Sequence, residues 1–464
     1  MLTDEAVLCR QTSANRLLTE FFRCPEIFVD FVTAGDLSSD PGYFRFGSDC
    51  ICFGQCASGS PSADATGPLH DARLHVSTNG TSVQLPFDLN QVVDNLRFER
   101  YHGIASPGSR RIVARQLARK LYYLLRPLMG VPVRRHLQRL SLRGWDENHF
   151  PKWPVDPSVE SMLHQLLALS IKARNVKEVP FIWFWPKGAS SCAVVTHDVE
   201  TAAGRDFCTQ LMDLNDSFGI KSAFQIIPEK RYPVPQSLLE SMRERGFEVN
   251  VHDLTHDGHL MEDFEEFRRQ AVQINAYGRH FGAKGFRSGM LYRNLDWFDA
   301  LEFSYDMSVP NMGHLDAQRG GCCTVFPFFT GKLLEIPVTM TQDYSLFHIL
   351  RKYSIDLWKQ QIEIIMGKHG LMNFIVHPDY IMEARERAVY EGLLGYLRHL
   401  KLDKTVWVTT PGDVDHWWRQ RADMRLIEDA CGWRIEGPGK EQARIGYAHE
   451  ENGRLVLTLE SRLS

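Results

Sequence analysis

The sequence predicts an α/β fold built on a barrel-like sheet, preceded by an α+β region and followed by a small β-rich extension. Two observations carry this. From Val179 onward, short apolar runs alternate with helix-like segments for about 240 residues. Repeated strand-then-helix units mean parallel strands with crossover helices. Five of the runs also end in an ionisable residue, as catalytic groups do at the C-terminal ends of barrel strands. The length and number of units favour closure over an open sheet.

Taken in order, residues 22–90 read mostly as β structure. Ile27–Val32 is apolar, Tyr43–Phe46 is aromatic-rich, and Ala72–Val76 and Ser82–Leu85 flank an Asn79-Gly80 hairpin signal. Cys50 and Cys52, at period two, face one side of a strand, and no fourth ligand makes a metal site with them and Cys56. Ala57–Pro68 reads as a loop. Arg110–Leu125 reads as a helix with Ile112, Leu117, Leu121, Leu124 and Leu125 on one side. Pro127 and Pro132 interrupt it, and a shorter basic helix follows around Val133–Leu140. Pro151, Pro154 and Pro157 form a rigid connection into a helix from Val159 to about Ala173. Strands are then expected at Cys192–Thr196, Lys221–Ile227, Gly246–Val251, Gly285–Phe286, Ser304–Tyr305, Leu333–Ile336, Leu371–Val376 and Val406–Thr410. Helices are expected at Ser237–Arg245, Phe264–Phe281, Ser354–Gly367 and Arg385–His399. The tail is strand-rich, with a turn at Glu451-Asn452-Gly453. The regions are 1–178, 179–420 and 421–464.

At 464 residues, 44% hydrophobic and 24% charged, the composition excludes a disordered chain. No run approaches the ~20 apolar residues of a spanning helix. The start, Met1-Leu2-Thr3-Asp4-Glu5, does not read as a signal peptide, so a cytoplasmic protein with reduced thiols is expected. The net charge of −4 hides an asymmetry. Residues 101–145 hold ten Lys/Arg and no Asp/Glu, which leaves −14 on the rest. That stretch reads first as a solvated helix packed on the barrel. A peripheral membrane contact through 101–145, or a lipid-linked substrate, is the second reading. Nucleic acid is not expected.

The strand ends carry the chemistry. They are His197-Asp198-Val199-Glu200, His252-Asp253-Leu254-Thr255-His256, Arg287, Asp306 and His377-Pro378. His252 and His256 are four apart, so on a helical turn both imidazoles share one ion. Two imidazoles and a carboxylate leave open positions, as a catalytic metal site requires. Of Asp198 and Glu200, one binds the metal while the other takes a proton. An Arg holds the base ionised, and a second His protonates the leaving amine. His259 is read as a surface histidine, and Asp343 as a turn residue.

These five motifs, between about Trp183 and Trp418, resemble the polysaccharide deacetylase (NodB-homology, carbohydrate esterase family 4) superfamily. The resemblance implies a distorted (β/α)7 barrel of NodB-homology type and metal-dependent removal of an N-acetyl group from an amino sugar. It implies Asp198 as the base, with Glu200, His252 and His256 as metal ligands. Arg287 then orients the base, Asp306 positions that Arg, and His377 is the general acid. The implied cofactor is one divalent ion, Zn²⁺ first, with Co²⁺, Ni²⁺, Fe²⁺ and Mn²⁺ as alternatives. The implied partner is a carbohydrate, nucleotide- and lipid-linked forms included. Glu200 stands where the family usually has Asp, and Asp253 where it has Ser or Thr. The third motif's Pro and aromatic residue are absent, with Tyr292 nearby. Hydrolysis of another amide, as by allantoinase-like enzymes, and a non-catalytic carbohydrate-binding relic are the alternatives. Residues 1–178 carry no motif of this kind.

Overall fold

The computed structural model describes residues 15–101, 129–430 and 432–461. The expected helix at Arg110–Leu125 lies outside them.

Before the main sheet run β1 (Phe31–Thr33), β2 (Gly42–Arg45), β3 (Ile51–Gly54), β4 (Ser77–Asn79), β5 (Ser82–Leu85) and helices α1 (Leu89–Arg97), α2 (Val131–Ser141) and α3 (Ser158–Arg174). Asn79-Gly80 makes the expected hairpin between β4 and β5, with Gly80 at φ +62°. Ala72–Val76 is not a strand. The Asp71 carboxylate accepts from the Arg73 and Gly47 amides, which winds Ala72–His75 into a 3-10 turn and delays the strand to Ser77. The Cys50 and Cys52 sulfurs lie 3.6 Å apart in the core, and the eight cysteines among the described residues are free and buried.

β6 (Val179–Ile182) leads into β7 (Ser191–Val199), α4 (Ala202–Ser217), β8 (Ala223–Ile226), α5 (Gln236–Glu244), β9 (Glu248–His252), α6 (Phe264–Phe281), β10 (Gly285–Arg287) and β11 (Tyr305–Asp306). Then come β12 (Phe328–Thr330), β13 (Leu333–Glu335), α7 (Asp356–Met366), β14 (Leu371–Ile375), α8 (Ala384–Leu402), β15 (Val406–Thr409) and α9 (Pro411–Asp423). β7 and β14 are buried along their whole length, as strands of a covered parallel sheet must be. α6 shows how such helices are delimited. Asp263 accepts from the Glu266 amide at its start, and Gly282, left-handed at φ +60°, ends it.

Nine strands form one sheet in the order β12-β13-β11-β10-β9-β8-β7-β14, with β15 also on β7. Every pairing is parallel except β12–β13. The sheet curls until the chain after β13 reaches β14. Asn373 donates to Thr339 Oγ1 (2.9 Å) and through its side chain to the Ile336 carbonyl (3.1 Å), and the Met340 amide donates to the Asn373 carbonyl (3.3 Å). The ends thus meet through scattered bonds rather than a ladder. The fold is mixed α/β with a curled sheet, and only short 3-10 turns, not a full crossover helix, lie between β10 and β11.

The outer regions share one continuous apolar core with this sheet. Arg421, fully buried on α9, donates to the carbonyls of Phe21, Phe22, Ile182 and Trp183, fastening the helical residues 15–22 to β6. Of the last strands, β16 (Arg425–Asp429) pairs with β17 (Gly432–Glu436), while β18 (Ile445–Glu451) and β19 (Arg454–Thr458) form the expected hairpin. β18 also pairs antiparallel with β6. Among the described residues, no helix is long and apolar enough to cross a membrane.

Glu160, fully buried on α3, accepts from the Thr324 hydroxyl and the Val325 amide on one oxygen, and its other oxygen has no hydrogen-bond partner. Burial pushes its carboxyl from 4.5 up to about 7. A raised carboxyl contributes fully to stability below pH 4.5, and that contribution is lost as the pH rises through 7. The loss is about 3 kcal/mol at about 1.4 kcal/mol per pH unit. Glu160→Gln is expected to raise the urea midpoint at pH 8 and barely move it near pH 4.5. A midpoint that shifts equally at both pH values contradicts this.

Candidate active site

The C-terminal ends of β7, β9, β10 and β14 converge. β7 delivers Asp198 and, one residue past its end, Glu200; β9 ends at His252, β10 at Arg287, and His377 follows β14 by two residues. In register, Arg287 pairs with His252 across β10–β9, so both side chains emerge on one face. All five side chains are buried except Glu200, whose side chain is 23% exposed.

His252 and His256 come together, but not on a helix. The chain turns after β9, with Asp253 at φ +58° and His256 at φ +54°, and this left-handed loop brings the two rings to 4.8 Å between centroids. Asp253 braces the loop. Its carboxylate accepts from the Leu254 amide (2.6 Å) and from the Gly289 amide (3.1 Å). A side chain at Gly289 would place its Cβ 2.3 Å from that carboxylate, so the Arg-Ser-Gly run needs its glycine for this close approach.

Ligand atoms of Glu200, His252 and His256 all lie within 4.8 Å of one another. The Nδ1 of His252 donates to the Arg287 carbonyl (3.1 Å), which turns its Nε2 lone pair inward. The Nε2 atoms of both histidines are buried and lack a hydrogen-bond partner of acceptable geometry among the described residues; that of His256 lies 3.0 Å from Glu200 Oε1. Two imidazoles and a carboxylate with clustered ligand atoms are the donor set of a divalent-metal site, so the residues fit the ion that the sequence implies.

Arg287 donates from Nη1 to Asp198 Oδ1 (2.6 Å) and Thr196 Oγ1 (2.8 Å), and from Nε to the Met307 carbonyl (2.9 Å). Burial alone would raise the Asp198 carboxyl; the charges of Arg287, His252 and His377 outweigh it and hold it below its ordinary value. Burial likewise opposes ionisation of Glu200, and His256 and His377 hold it well below the usual carboxylate range. Burial lowers His252.

Asp306 departs from expectation. It pairs in register with Phe286, not Arg287, so side-chain alternation turns it away from the arginine. Its carboxyl goes to the Ser308 hydroxyl (2.7 Å) and amide (2.8 Å) and lies against Glu335, its register partner on β13. Among the described residues no ion pair joins Asp306 to Arg287. The connection is indirect, because Ser308 Oγ accepts from the Ser288 amide (2.9 Å).

Asp343, read from sequence as a turn residue, is fully buried against His377. Its two oxygens accept from the His377 backbone amide and from Nδ1, each at 2.7 Å. Burial alone would strip the His377 proton, but Asp343 and Glu200 hold its pKa well above the usual histidine value. His377 Nε2 then faces Glu200 Oε1 at 3.5 Å. A carboxylate shortly after a strand end was the available signal for Asp343. His197 faces elsewhere, bonded to the Val376 carbonyl (2.9 Å) and Asn215 (3.0 Å), and burial lowers it to about 4. His259 is exposed beside Glu262.

The solved structures found similar to this chain include polysaccharide and peptidoglycan deacetylases, a CE4 domain of a xylanase and a family 4 acetyl xylan esterase. One, from Mycobacterium smegmatis and described as a polysaccharide deacetylase, matches at 16% identity and TM-score 0.42, over 51% of this chain and 93% of its own. A family 4 acetyl xylan esterase from Clostridium thermocellum, solved with a cobalt ion, matches at 12% identity and TM-score 0.32, over 49% and 91%. The peptidoglycan deacetylase of Bacillus subtilis matches at 12% identity and TM-score 0.32, over 50% and 93%. A mutant of a CE4-family pseudoenzyme is also among the matches. No protein-family model and no curated protein matches the sequence. At these scores the chemistry has to be read from the side chains themselves.

Proposed function

We propose that this protein is a metal-dependent hydrolase that removes an N-acetyl group from an amino sugar of a glycan or glycan precursor, on a distorted barrel of the NodB type spanning 179–420. The observation that carries the reading is the clustering of ligand atoms of Glu200, His252 and His256 within 4.8 Å, flanked by Asp198 and His377. These three ligands would hold one divalent ion, Zn²⁺ first by donor type. Bound there, it supplies a Lewis acid that polarises a carbonyl oxygen and acidifies water.

The protein's own groups divide the proton work. Asp198, kept ionised by Arg287 at 2.6 Å, accepts a proton from water at Oδ2, the oxygen that Arg287 leaves free. His377, kept protonated by Asp343, donates from Nε2 to the leaving amine nitrogen. Two ionisable groups with pKa values pushed apart by their surroundings are what an acid–base pair requires.

The test is elemental analysis of the purified protein together with an acetate-release assay over N-acetyl amino sugars, free, nucleotide-linked and lipid-linked. One divalent ion per chain and acetate release from one of these classes are the expected results. A metal-free chain, or a metal-loaded one that releases no acetate from any of them, overturns the proposal.

A further inference from the structure

Helix α2 turns an apolar stripe outward. Val133 and Leu140, two turns apart, are each 51% exposed, exposed His136 lies between them on the same side, and exposed Arg143 follows just past the helix end. A helix packed on a globular core normally hides that stripe. Here the half-buried residues include both Leu137 and Gln138. Gln138 accepts from the Tyr344 hydroxyl, and Arg319 reaches the Ser141 carbonyl (3.5 Å).

The position is next to the candidate site. Tyr344 follows Asp343, its ring lies 5.6 Å from that of Tyr380, and the Tyr380 ring lies 4.7 Å from that of His377. The charge matches the position. α2 and the four residues after it, 131–145, hold four arginines and no Asp/Glu in a chain of net −4. An outward Val/Leu stripe flanked by arginine suits a surface that offers both acyl chains and phosphates. A soluble polyanion uses the arginines but has nothing for Val133 and Leu140. A second copy meeting this face symmetrically would oppose one basic patch with another.

We propose that the outward face of α2 docks this protein on an anionic lipid surface, beside the candidate active site. The docking is measured without turnover, so its failure and the failure of the hydrolase reading are separate results.

The full chain is sedimented with vesicles of phosphatidylcholine alone and of phosphatidylcholine mixed with phosphatidylglycerol. Binding to the mixed vesicles, weakened by salt, is expected. Arg143→Gln should weaken it about fivefold. Val133→Ser combined with Leu140→Ser should weaken it about tenfold or more. Both changes sit at exposed positions, and each variant is first required to melt as the parent does. Three results would overturn the proposal: no preference for the anionic vesicles, unchanged binding in both variants, or equal binding to soluble dextran sulfate with the same losses.

Discussion

Replacing His252 and His256 together by alanine is expected to abolish stoichiometric metal and to lower acetate release at least about a thousandfold. The size follows from the several kcal/mol of charge stabilisation that a bound metal contributes, at about 1.4 kcal/mol per factor of ten. The variant should still fold. The Arg287 carbonyl, which loses His252 Nδ1, keeps the Asp253 amide (2.8 Å); Arg231, which loses His256 Nδ1, keeps the Thr255 and His256 carbonyls; and Glu200 keeps His377. Stability gives a second readout that needs no substrate. Ligand binding stabilises the folded state by about 2.7 kcal/mol at a hundredfold excess over Kd. Added Zn²⁺ should therefore raise the melting temperature of the parent and leave the double variant unmoved. Chelator should bring the parent down to its metal-free melting temperature. Full metal occupancy in the double variant would remove His252 and His256 from the ligand set.

The parts legible in the sequence are those whose signal is local. A parallel strand buried on both faces reads as a nearly continuous apolar run, so Cys192–Thr196 and Leu371–Val376 stand out, and so does an ionisable residue just beyond each. α6 matches its expected span because Asp263 and Gly282 mark its ends within the sequence itself. What stayed hidden depends on distant partners or on backbone choice. The four-residue spacing of His252 and His256 fits a helical turn and a left-handed loop equally well, and the loop is selected by Asp253 reaching Gly289 in the turn after β10. Asp343 looks like a turn residue until His377, 34 positions later, folds onto it. The direction of Asp306 is set by strand register, which one sequence does not reveal. Nor does the sequence announce that Glu99, just before the basic stretch, forms a buried ion pair with Arg293, in the loop that follows Arg287.

Asp198→Asn is expected to keep the metal and lose about 10²- to 10⁴-fold in hydrolysis, the usual contribution of a positioned general base. Asparagine has the shape of aspartate, and its carbonyl oxygen can still accept from Arg287 Nη1, so the site geometry should persist. What disappears is the ability to take a proton at Oδ2. That atom lies 3.8 Å from His252 Nε2 and is not among the three clustered ligands. The cost falls on stability, because Arg287 is fully buried and loses its counter-charge, a change on the order of 3 kcal/mol. The pH profile separates the roles further. The parent carboxyl is held below its ordinary value, so activity that depends on its ionised form should persist until the pH falls below the normal carboxylate range. A low-pH limb at higher values would belong to another group, and near-parental activity in the asparagine variant would move the base elsewhere. Loss of the metal in that variant would make Asp198 a ligand. Only retained metal with lost turnover fits a carboxylate that Arg287 holds ready to accept a proton.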